Sequence, residues 1–327
     1  MFQITVATNP SPSPIDIDLG GAILPFPQSG MSGGRVHLID SSGVTREFVG
    51  KVINSFALGT NTILYTNPTK IDFKDIVGVQ GAVSVTLGSN LQTITAPSMA
   101  WIGGGLTLFN ATSFRLNGVE QSWASSLQSV SFPSLRAIVG SLTMGTGSWA
   151  FRNGNTFSFP LLETVGGMTL TNISVVVAFP ELKFSTGAIS VNNFDGNPVS
   201  FPKLQGVGGN LSITNTVCNN LSLSQLKYVS GSITITGNTS LQNLSLDSLI
   251  AHGTGHASFA NNALNQASVD NILAAFARFD GNNGADTTGF NTGQTLTLTG
   301  GTNAAPSAAG VASANIIRAR GATVNTN

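Results

Sequence analysis

The sequence predicts a mainly β protein: a leucine-rich-repeat-like β-solenoid with a small amino-terminal β domain and a short α/β carboxy-terminal cap. Three observations lead to this prediction. A short frame recurs along the middle of the chain, and the segments after it alternate apolar and hydroxyl side chains. Charged residues make up only 9% of the chain, against about 25% in typical proteins. With 38 glycines, such a chain favours strands and tight turns.

The recurring frame starts at a Phe-Pro pair and continues with an apolar residue, a glycine and a short alternating segment. Its clearest copies are SFPSLRAIVGSLTM, residues 131–144, and SFPKLQGVGGNLSI, residues 200–213. The later copies begin about 22 residues apart, and periods of about 20 to 29 residues are typical of leucine-rich-repeat-like solenoids. Because one unit cannot cover its own apolar face, we expect the units to stack. The first residues of the copies are Ala96, Phe132, Phe159, Phe179, Phe201, Leu223 and Leu246. The first five are followed by proline, and the last two continue the series without it.

Each position of the frame has an expected role in the stack. The proline lacks an amide donor, so we expect it where a strand ends and the chain turns. The glycine is expected to allow a turn or a close approach between layers. Asn172, Asn193, Asn215 and Asn238 follow the alternating segments. Their side chains are expected to bond to the backbone at the corners.

Residues 1–85 do not fit the frame and are predicted to form the amino-terminal β domain. The segments GGRVHLID, TREFVGKVI and NTILYT are separated by short polar or glycine-containing turns and predict strands. Residues 8–30 are rich in proline, which disfavours both helix and central strand, so they predict an extended arm. The repeats then predict a solenoid over residues 86–262.

Residues 263–327 predict the α/β cap. The segment ASVDNILAAFARFDG predicts a helix with Ser268 as its N-cap and Gly281 after its end. A strand in TLTLTG, a second helix that ends at Gly321 and a final strand in ATVNTN follow. A helix-bearing end on a repeat stack is expected to shield the last layer.

Charge and hydropathy exclude several classes of partner. The chain has 14 basic and 14 acidic residues, so it lacks the basic field that gathers nucleic acids. No segment approaches the roughly 18 apolar residues that a membrane helix needs, so no membrane insertion is expected. The first residues show neither the basic region nor the apolar run of a signal peptide, so we expect synthesis in a cytoplasm without export through a cleaved signal.

The residue types that carry catalysis or bind metals and cofactors are scattered, so no catalytic, cofactor or metal site is predicted. The single cysteine, Cys218, excludes an internal disulfide and a multi-cysteine metal site; we expect a structural or partly buried thiol. His252 and His256 are four residues apart, but the glycines between them disfavour a helix that would aim both at one metal. They are expected to be solvent-facing turn residues.

The acidic residues do not form a recognisable catalytic or calcium-binding pattern. Asp16 and Asp18 are expected on a solvated strand edge, and DGNNGAD, residues 280–286, lacks the spacing of a calcium loop. A polysaccharide-cleaving groove needs two or three converging carboxylates, and those of the repeat region lie at different phases of the frame. We therefore expect no enzymatic activity. The carboxylates concerned are Glu120, Glu163, Glu181, Asp195 and Asp247.

The candidate binding residues lie in two insertions that interrupt the frame, residues 110–126 and 145–156. Tryptophan and arginine dominate binding hot spots, and loops on a rigid scaffold often form binding surfaces. The alternative is local packing that closes the first layers or docks the amino-terminal domain. The candidates are Arg115, Trp123, Trp149 and Arg152.

Two resemblances suggest a biological setting. The Phe-Pro-x-Leu frame resembles leucine-rich-repeat-like solenoids of receptor-L-domain type, which occur in surface-exposed proteins. The segments ALNQASVDNILAAF and TLTLTGGTNAAPSAAGVASANIIRARGATVNTN, within residues 263–327, resemble a carboxy-terminal module of bacteriophage virion proteins. This second resemblance implies a non-enzymatic virion structural protein, and no catalytic residue accompanies such modules.

The resemblance leaves several roles open. A tail-fibre or adhesin component is favoured, a capsid decoration or head-fibre protein is the first alternative, and a polysaccharide-degrading tailspike is the second. The implied location is the virion, with residues 1–85 attaching the chain to the particle. The implied partners are other virion proteins, further copies of the chain in a homo-oligomer, and a host cell-surface glycan or protein. A bacterial surface adhesin of the same repeat type would be expected to carry an export signal or anchor.

We predict that Trp123→Ala or Trp149→Ala weakens binding to a host-surface or virion partner and leaves the melting temperature nearly unchanged. Truncation of a hot-spot aromatic costs about 2 kcal/mol or more, which is about thirtyfold in affinity. Affinity and melting temperature are measured for each variant beside the unsubstituted chain. Early melting with normal binding by the folded variants would identify both tryptophans as packing residues.

Overall fold

The computed structural model describes residues 70–85, 91–108, 127–145, 156–194, 200–253, 255–279 and 289–327, and elsewhere only the strands named below. The described residues are mainly β. The chain divides into two compact units, Met1–Phe179 and Pro180–Asn327. The predicted domain boundaries after residues 85 and 262 stay a prediction.

The first unit consists of short strands. In chain order they are β1 (Phe2–Val6), β2 (Ile17–Asp18), β3 (Ile23–Leu24), β4 (Gly34–Asp40), β5 (Thr45–Gly50), β6 (Ile53–Leu58), β7 (Pro68–Asp72), β8 (Gly78–Val79), β9 (Val83–Leu87), β10 (Thr93–Thr95), β11 (Trp101–Ile102), β12 (Leu106–Asn110), β13 (Phe114–Leu116), β14 (Val119–Gln121), β15 (Ser129–Ser131), β16 (Ala137–Met144), β17 (Thr156–Ser158), β18 (Thr164–Ile173) and β19 (Val176–Ala178).

Two parallel arrays run through this unit and form successive solenoid layers. One array pairs β7, β10, β15, β17 and β19 in register. The other pairs β8 and β9 with β11 and β12, then β16, then β18. At the start, β4 pairs antiparallel with β5 and β7, and β1 pairs antiparallel with β6. The predicted strands in GGRVHLID and TREFVGKVI are therefore present, whereas NTILYT lies outside the described residues.

The second unit combines strands with two helices. They are β20 (Phe184–Ser185), β21 (Ile189–Phe194), β22 (Gly206–Val207), β23 (Leu211–Thr214), β24 (Asn220–Ser222), β25 (Tyr228–Val229), β26 (Ile233–Thr236), β27 (Asn243–Ser245), β28 (Ala251–His252), β29 (Ala257–Ser258), α1 (Gln266–Ala277), β30 (Thr295–Thr297), α2 (Ala308–Ala319) and β31 (Thr323–Asn325).

Parallel pairing again stacks the layers of this unit. The strands β20, β22, β25 and β28 form one array, and β21, β23, β26, β29, β30 and β31 form a second. A separate parallel pair joins β24 to β27. The predicted mainly β class and β-solenoid are confirmed in both units, and the likeness to leucine-rich repeats stays a prediction.

The first residue of the frame is buried in every layer where it occurs. Phe201, Leu223 and Leu246 are fully buried in the second unit. In the first unit, the ring of Phe159 stacks between those of Phe132 and Phe179, with centroids 5.5 and 5.7 Å away. Repetition of the frame thus builds a continuous apolar core, as the stacking argument requires.

The proline of the frame lies at the second position of a β-turn. The Leu204 N–H donates to the Phe201 carbonyl over 3.1 Å, and proline favours this position because its φ is already fixed near the turn value. Layers without proline keep the same turn, since the Leu226 N–H donates to the Leu223 carbonyl over 3.0 Å. The prediction that the proline marks a turn after a strand is confirmed.

The glycine of the frame lies where consecutive layers come closest. A Cβ added at Gly140 would lie 2.6 Å from the carbonyl carbon of Gly104, and one at Gly209 would lie 2.7 Å from the Ala188 nitrogen. Real Cβ atoms do not approach backbone atoms this closely. The expected close approach at glycine is confirmed.

Asparagines turn the corners after the strands in two different ways. Asn172, Asn193 and Asn215 adopt left-handed backbone with φ of 55°, 51° and 54°, a conformation that asparagine tolerates better than most residues. Asn238 is fully buried and bonds to the backbone, as predicted for it. Its Oδ1 accepts the Thr216 N–H over 2.8 Å, and its Nδ2 donates to the Ile213 carbonyl over 3.1 Å.

Both predicted helices are present, with one correction at a helix start. Asn265, rather than Ser268, is the N-cap of α1, because the Asn265 side chain accepts the Ser268 N–H over 2.8 Å. Ser268 lies inside the helix, whereas an N-cap residue precedes the helix and accepts an N–H two or three residues after itself. The predicted end at Gly281 lies outside the described residues, whereas Gly321 follows α2 with a φ of +88°. Neither helix in the described part of the chain is long and apolar enough to cross a membrane.

We predict that Phe201→Ala lowers the free energy of unfolding by about 3 to 5 kcal/mol, because it removes buried surface and leaves a cavity. A denaturant titration measures the change. Val217→Ala is the matched control, since Val217 is 59% exposed and truncation of an exposed side chain changes stability by about 0.5 kcal/mol or less. Equal losses in the two variants would contradict the role of Phe201 as a layer residue.

Candidate functional site

The four predicted binding residues are not among those whose side chains the structure describes. Trp123, Trp149 and Arg152 lie outside the described residues altogether. Arg115 lies on β13, whose backbone pairs antiparallel with β14 opposite Glu120. Their role in binding stays a prediction.

A shallow groove in the second unit is the best-defined candidate site among the described residues. It lies beside β24, β27 and the start of α1. We call it the asparagine groove, after the side chains that line it. Its polar lining includes Asn220, Ser222, Asn243, Ser245, Asn265 and Asn271.

Two parallel strands position most of this lining. In β24 and β27, Asn220 pairs with Asn243 and Ser222 with Ser245. The alternation of strand side chains turns the intervening Leu221 into the core, where it is 2% exposed, and leaves its polar neighbours outside. The repeated tetrapeptide Asn-Leu-Ser-Leu at residues 220–223 and 243–246 is the sequence signal that predicts this arrangement, although sequence reasoning did not single it out.

The asparagines of the groove form a continuous row of side-chain hydrogen bonds. The Asn243 Nδ2 donates to Asn220 Oδ1 over 2.5 Å, and the Asn265 Nδ2 donates to Asn243 Oδ1 over 2.6 Å. Asn265 also caps α1 through its Oδ1. The row therefore links two strand layers to the first turn of the helix.

Helix α1 occupies the position where a further strand would pair with β27. The Leu244 N–H donates to Ser268 Oγ over 3.0 Å, and the Leu246 N–H donates to Asn271 Oδ1 over 2.9 Å. The Ser268 hydroxyl donates to the Gln242 carbonyl over 3.1 Å. Two helix side chains thus satisfy backbone groups that an exposed edge strand would present to another chain.

Asp247 stabilises this contact electrostatically. Its carboxylate accepts from the Ser245 hydroxyl and the Asn271 amide, and its carbonyl accepts from Arg278 Nη2 over 3.0 Å. The hydrogen bond from Ser245, then that from Asn271, holds the pKa of Asp247 below its usual value of 3.8. The carboxylate serves to position the helix.

The other described carboxylates of the repeat region bind basic side chains one layer away. Glu163 accepts from Arg136 Nη1 over 2.6 Å, and Glu181 accepts from Lys203 Nζ over 2.6 Å. The side chain of Glu120 and the whole of Asp195 lie outside the described residues. These contacts join layers and point to structural use of the acids.

His252 corrects the expectation of a solvent-facing histidine. It is 4% exposed, and its ring lies 5.5 Å from that of Phe276 and 5.6 Å from that of Phe290. Strand pairing gives it the position that Val229 holds in the preceding layer, which faces the core. His256 is exposed, as expected, and its Nδ1 accepts the Thr295 N–H over 3.1 Å.

Cys218 is buried, and burial raises the pKa of its thiol. Its Sγ lies 3.3 Å from Thr216 Oγ1. Over the ranges that the structure describes, no three His, Cys, Asp or Glu side chains are grouped to hold a metal ion.

No protein-family model, curated protein or solved structure matches the chain.

We predict that the docking of α1 weakens in acid. Because the pKa of Asp247 is lower in the folded than in the unfolded chain, its contribution to stability is complete well above pH 3.8 and is lost as the pH falls through the lowered value. The free energy of unfolding is measured from neutral pH downward for the unsubstituted chain and for Asp247→Asn. The variant should lose less stability in acid, and identical acid profiles would assign the effect to other groups.

Proposed function

We propose that the chain is a non-enzymatic structural protein of a bacteriophage virion, and that it serves as a tail-fibre or adhesin component. The observation that carries the proposal is the in-register stacking of layers within each unit. Such a stack is a stiff scaffold, and insertions between its layers can carry recognition residues without disturbing the core.

The use of the charged side chains favours a structural over a catalytic role. Glu163 and Glu181 each bind a basic side chain of a neighbouring layer, and Asp247 binds the residues that dock α1. A glycoside hydrolase needs one carboxylic acid and one carboxylate that face each other across a substrate. The contacts of these three acids support the non-enzymatic proposal over the tailspike alternative.

The choice of a phage particle among structural roles rests on the resemblance of residues 263–327 to virion modules. In the structure these residues contain α1, β30, α2 and β31. Arg318 of α2 donates to the outward carbonyl of Val324 over 2.8 Å, so α2 covers part of the last strand. A helix that covers a strand edge suits a protein exposed on a particle surface, because uncovered strand edges promote aggregation.

The proposed partners follow from the neutral, polar surface. We propose contacts with other virion proteins and with further copies of the chain, and recognition of a host cell-surface glycan or protein. Nucleic acid is not a proposed partner, because basic and acidic residues are equal in number. A capsid decoration or head-fibre role uses the same scaffold and is the alternative that the following experiment separates.

We predict that the chain is a stoichiometric component of purified phage particles. Mass spectrometry of gradient-purified virions should detect it at a copy number comparable with other tail proteins, and gold-labelled antibodies should bind at the tail. Labelling of the head would support the capsid alternative. Absence from intact virions, in a preparation where known minor proteins are detected, would overturn the proposal. Release of reducing sugar from host capsule by the purified chain would overturn the non-enzymatic part alone.

A further inference from the structure

We propose that the asparagine groove binds a neutral oligosaccharide. The inference rests on the proposed function and deepens it, because it assigns glycan recognition to a particular surface of the second unit. Its residues are different from those of the insertions at residues 110–126 and 145–156, from which the sequence predicted binding.

The first argument is the charge of the lining. Every residue that lines the groove is uncharged, and most carry an amide or a hydroxyl group. An acidic ligand would therefore find no lysine or arginine in the lining to pair with. The carboxylate beside the lining is that of Asp247, and it already accepts from Ser245 and Asn271. The hydroxyl groups of a neutral sugar both donate and accept hydrogen bonds. The amide and hydroxyl groups of this lining also do both, so the two sets of groups can pair.

The second argument is the number of donors that the row leaves unused. An asparagine amide carries two N–H donors, and the row uses one from Asn243 and one from Asn265. Asn220 lies at the end of the row and contributes only its oxygen. The row therefore offers amide N–H groups on successive layers, and Ser222 adds a hydroxyl beside it.

The third argument is the regular shape of the groove. Neighbouring strands of a sheet lie about 4.8 Å apart, so the asparagine and serine rows repeat their groups at that interval across the two strands. Leu221 and Leu244, which are 2% and 3% exposed, lie between the two rows and line the groove. An extended chain of sugar rings that lies along the groove would meet an asparagine of each layer. The Ser245 hydroxyl already donates to Asp247, so Ser222 is the serine that offers its hydroxyl.

The start of α1 adds a further preference for oxygen atoms. Ala267 and Ser268 of the first turn line the groove, and this turn contains no acidic residue. The partial positive charge of a helix amino terminus favours electron-rich ligand atoms. Together with the absence of basic side chains, it favours hydroxyl and ring oxygens.

The test measures binding of oligosaccharides to the purified chain by calorimetry and by saturation-transfer NMR. The probes are neutral oligomers of glucose, galactose, mannose and N-acetylglucosamine, with acidic oligomers that contain sialic or uronic acid as comparison. The variants are Asn220→Ala and Ser222→Ala, both at exposed positions. Ser212→Ala on β23, outside the groove, is the matched control, and the melting temperature of each variant verifies its folding.

We predict that at least one neutral oligomer binds, and that each groove variant weakens its binding by about threefold to tenfold, the loss expected for one neutral hydrogen bond. Ser212→Ala should bind like the unsubstituted chain. The inference is overturned if only acidic oligomers bind, if no neutral oligomer binds, or if both groove variants bind unchanged. Because no virion is used, a chain that is found in virions but binds no neutral sugar would refute the groove and leave the proposed function standing.

Discussion

In-register parallel pairing between layers is the constraint on which the described structure depends. Along most of the paired strands, each residue has the equivalent residue of the next layer beside it, as Leu211, Ile233 and Ala257 show along one array. The pairing of β16 with β18 departs from this by a shift of one residue between Ile138 and Ser141. A side chain that fits once therefore has to fit repeatedly. This is why the core position of the frame is apolar throughout, and why glycine recurs where the backbones of adjacent layers approach to contact distance.

The same constraint creates a problem where the stack ends, and the carboxy-terminal helices address it. Every strand of a parallel array can pair with one more strand. The unpaired N–H and C=O groups of the edge strand would therefore stay open to pairing with another chain. Ser268 and Asn271 satisfy N–H groups of β27 and the adjoining turn, and Arg318 satisfies a carbonyl of β31. The asparagine groove arises at this junction, because the helix meets the strand pair through short polar side chains.

Polar groups inside the second unit are tolerated because they continue from layer to layer. Asn238 and Asn262 are buried, yet the Asn238 Nδ2 donates to Asn262 Oδ1 over 3.1 Å and the Asn262 Nδ2 donates to the Ile235 carbonyl over 2.6 Å. Buried amides with satisfied hydrogen bonds rigidify a core, whereas unsatisfied ones destabilise it. Within the described part of this unit, such amide bonds join successive layers, as does the ion pair between Lys203 and Glu181.

The sequence by itself determined the parts of this protein that repeat locally: the Phe-Pro frame, the turn at its proline, the alternating strands and the two helices. These features follow from residues within one layer, where spacing alone carries the information. The tertiary structure decided what depends on contacts between layers about 22 residues apart, including the burial of His252 and the groove between β24, β27 and α1. A histidine followed by glycines at 253 and 255 predicts a turn, yet strand register placed His252 in line with Val229 and therefore in the core. Register is set by the pairing of a strand with the strand of the neighbouring layer. The residues near a side chain in the sequence do not determine which residue of that layer it will contact.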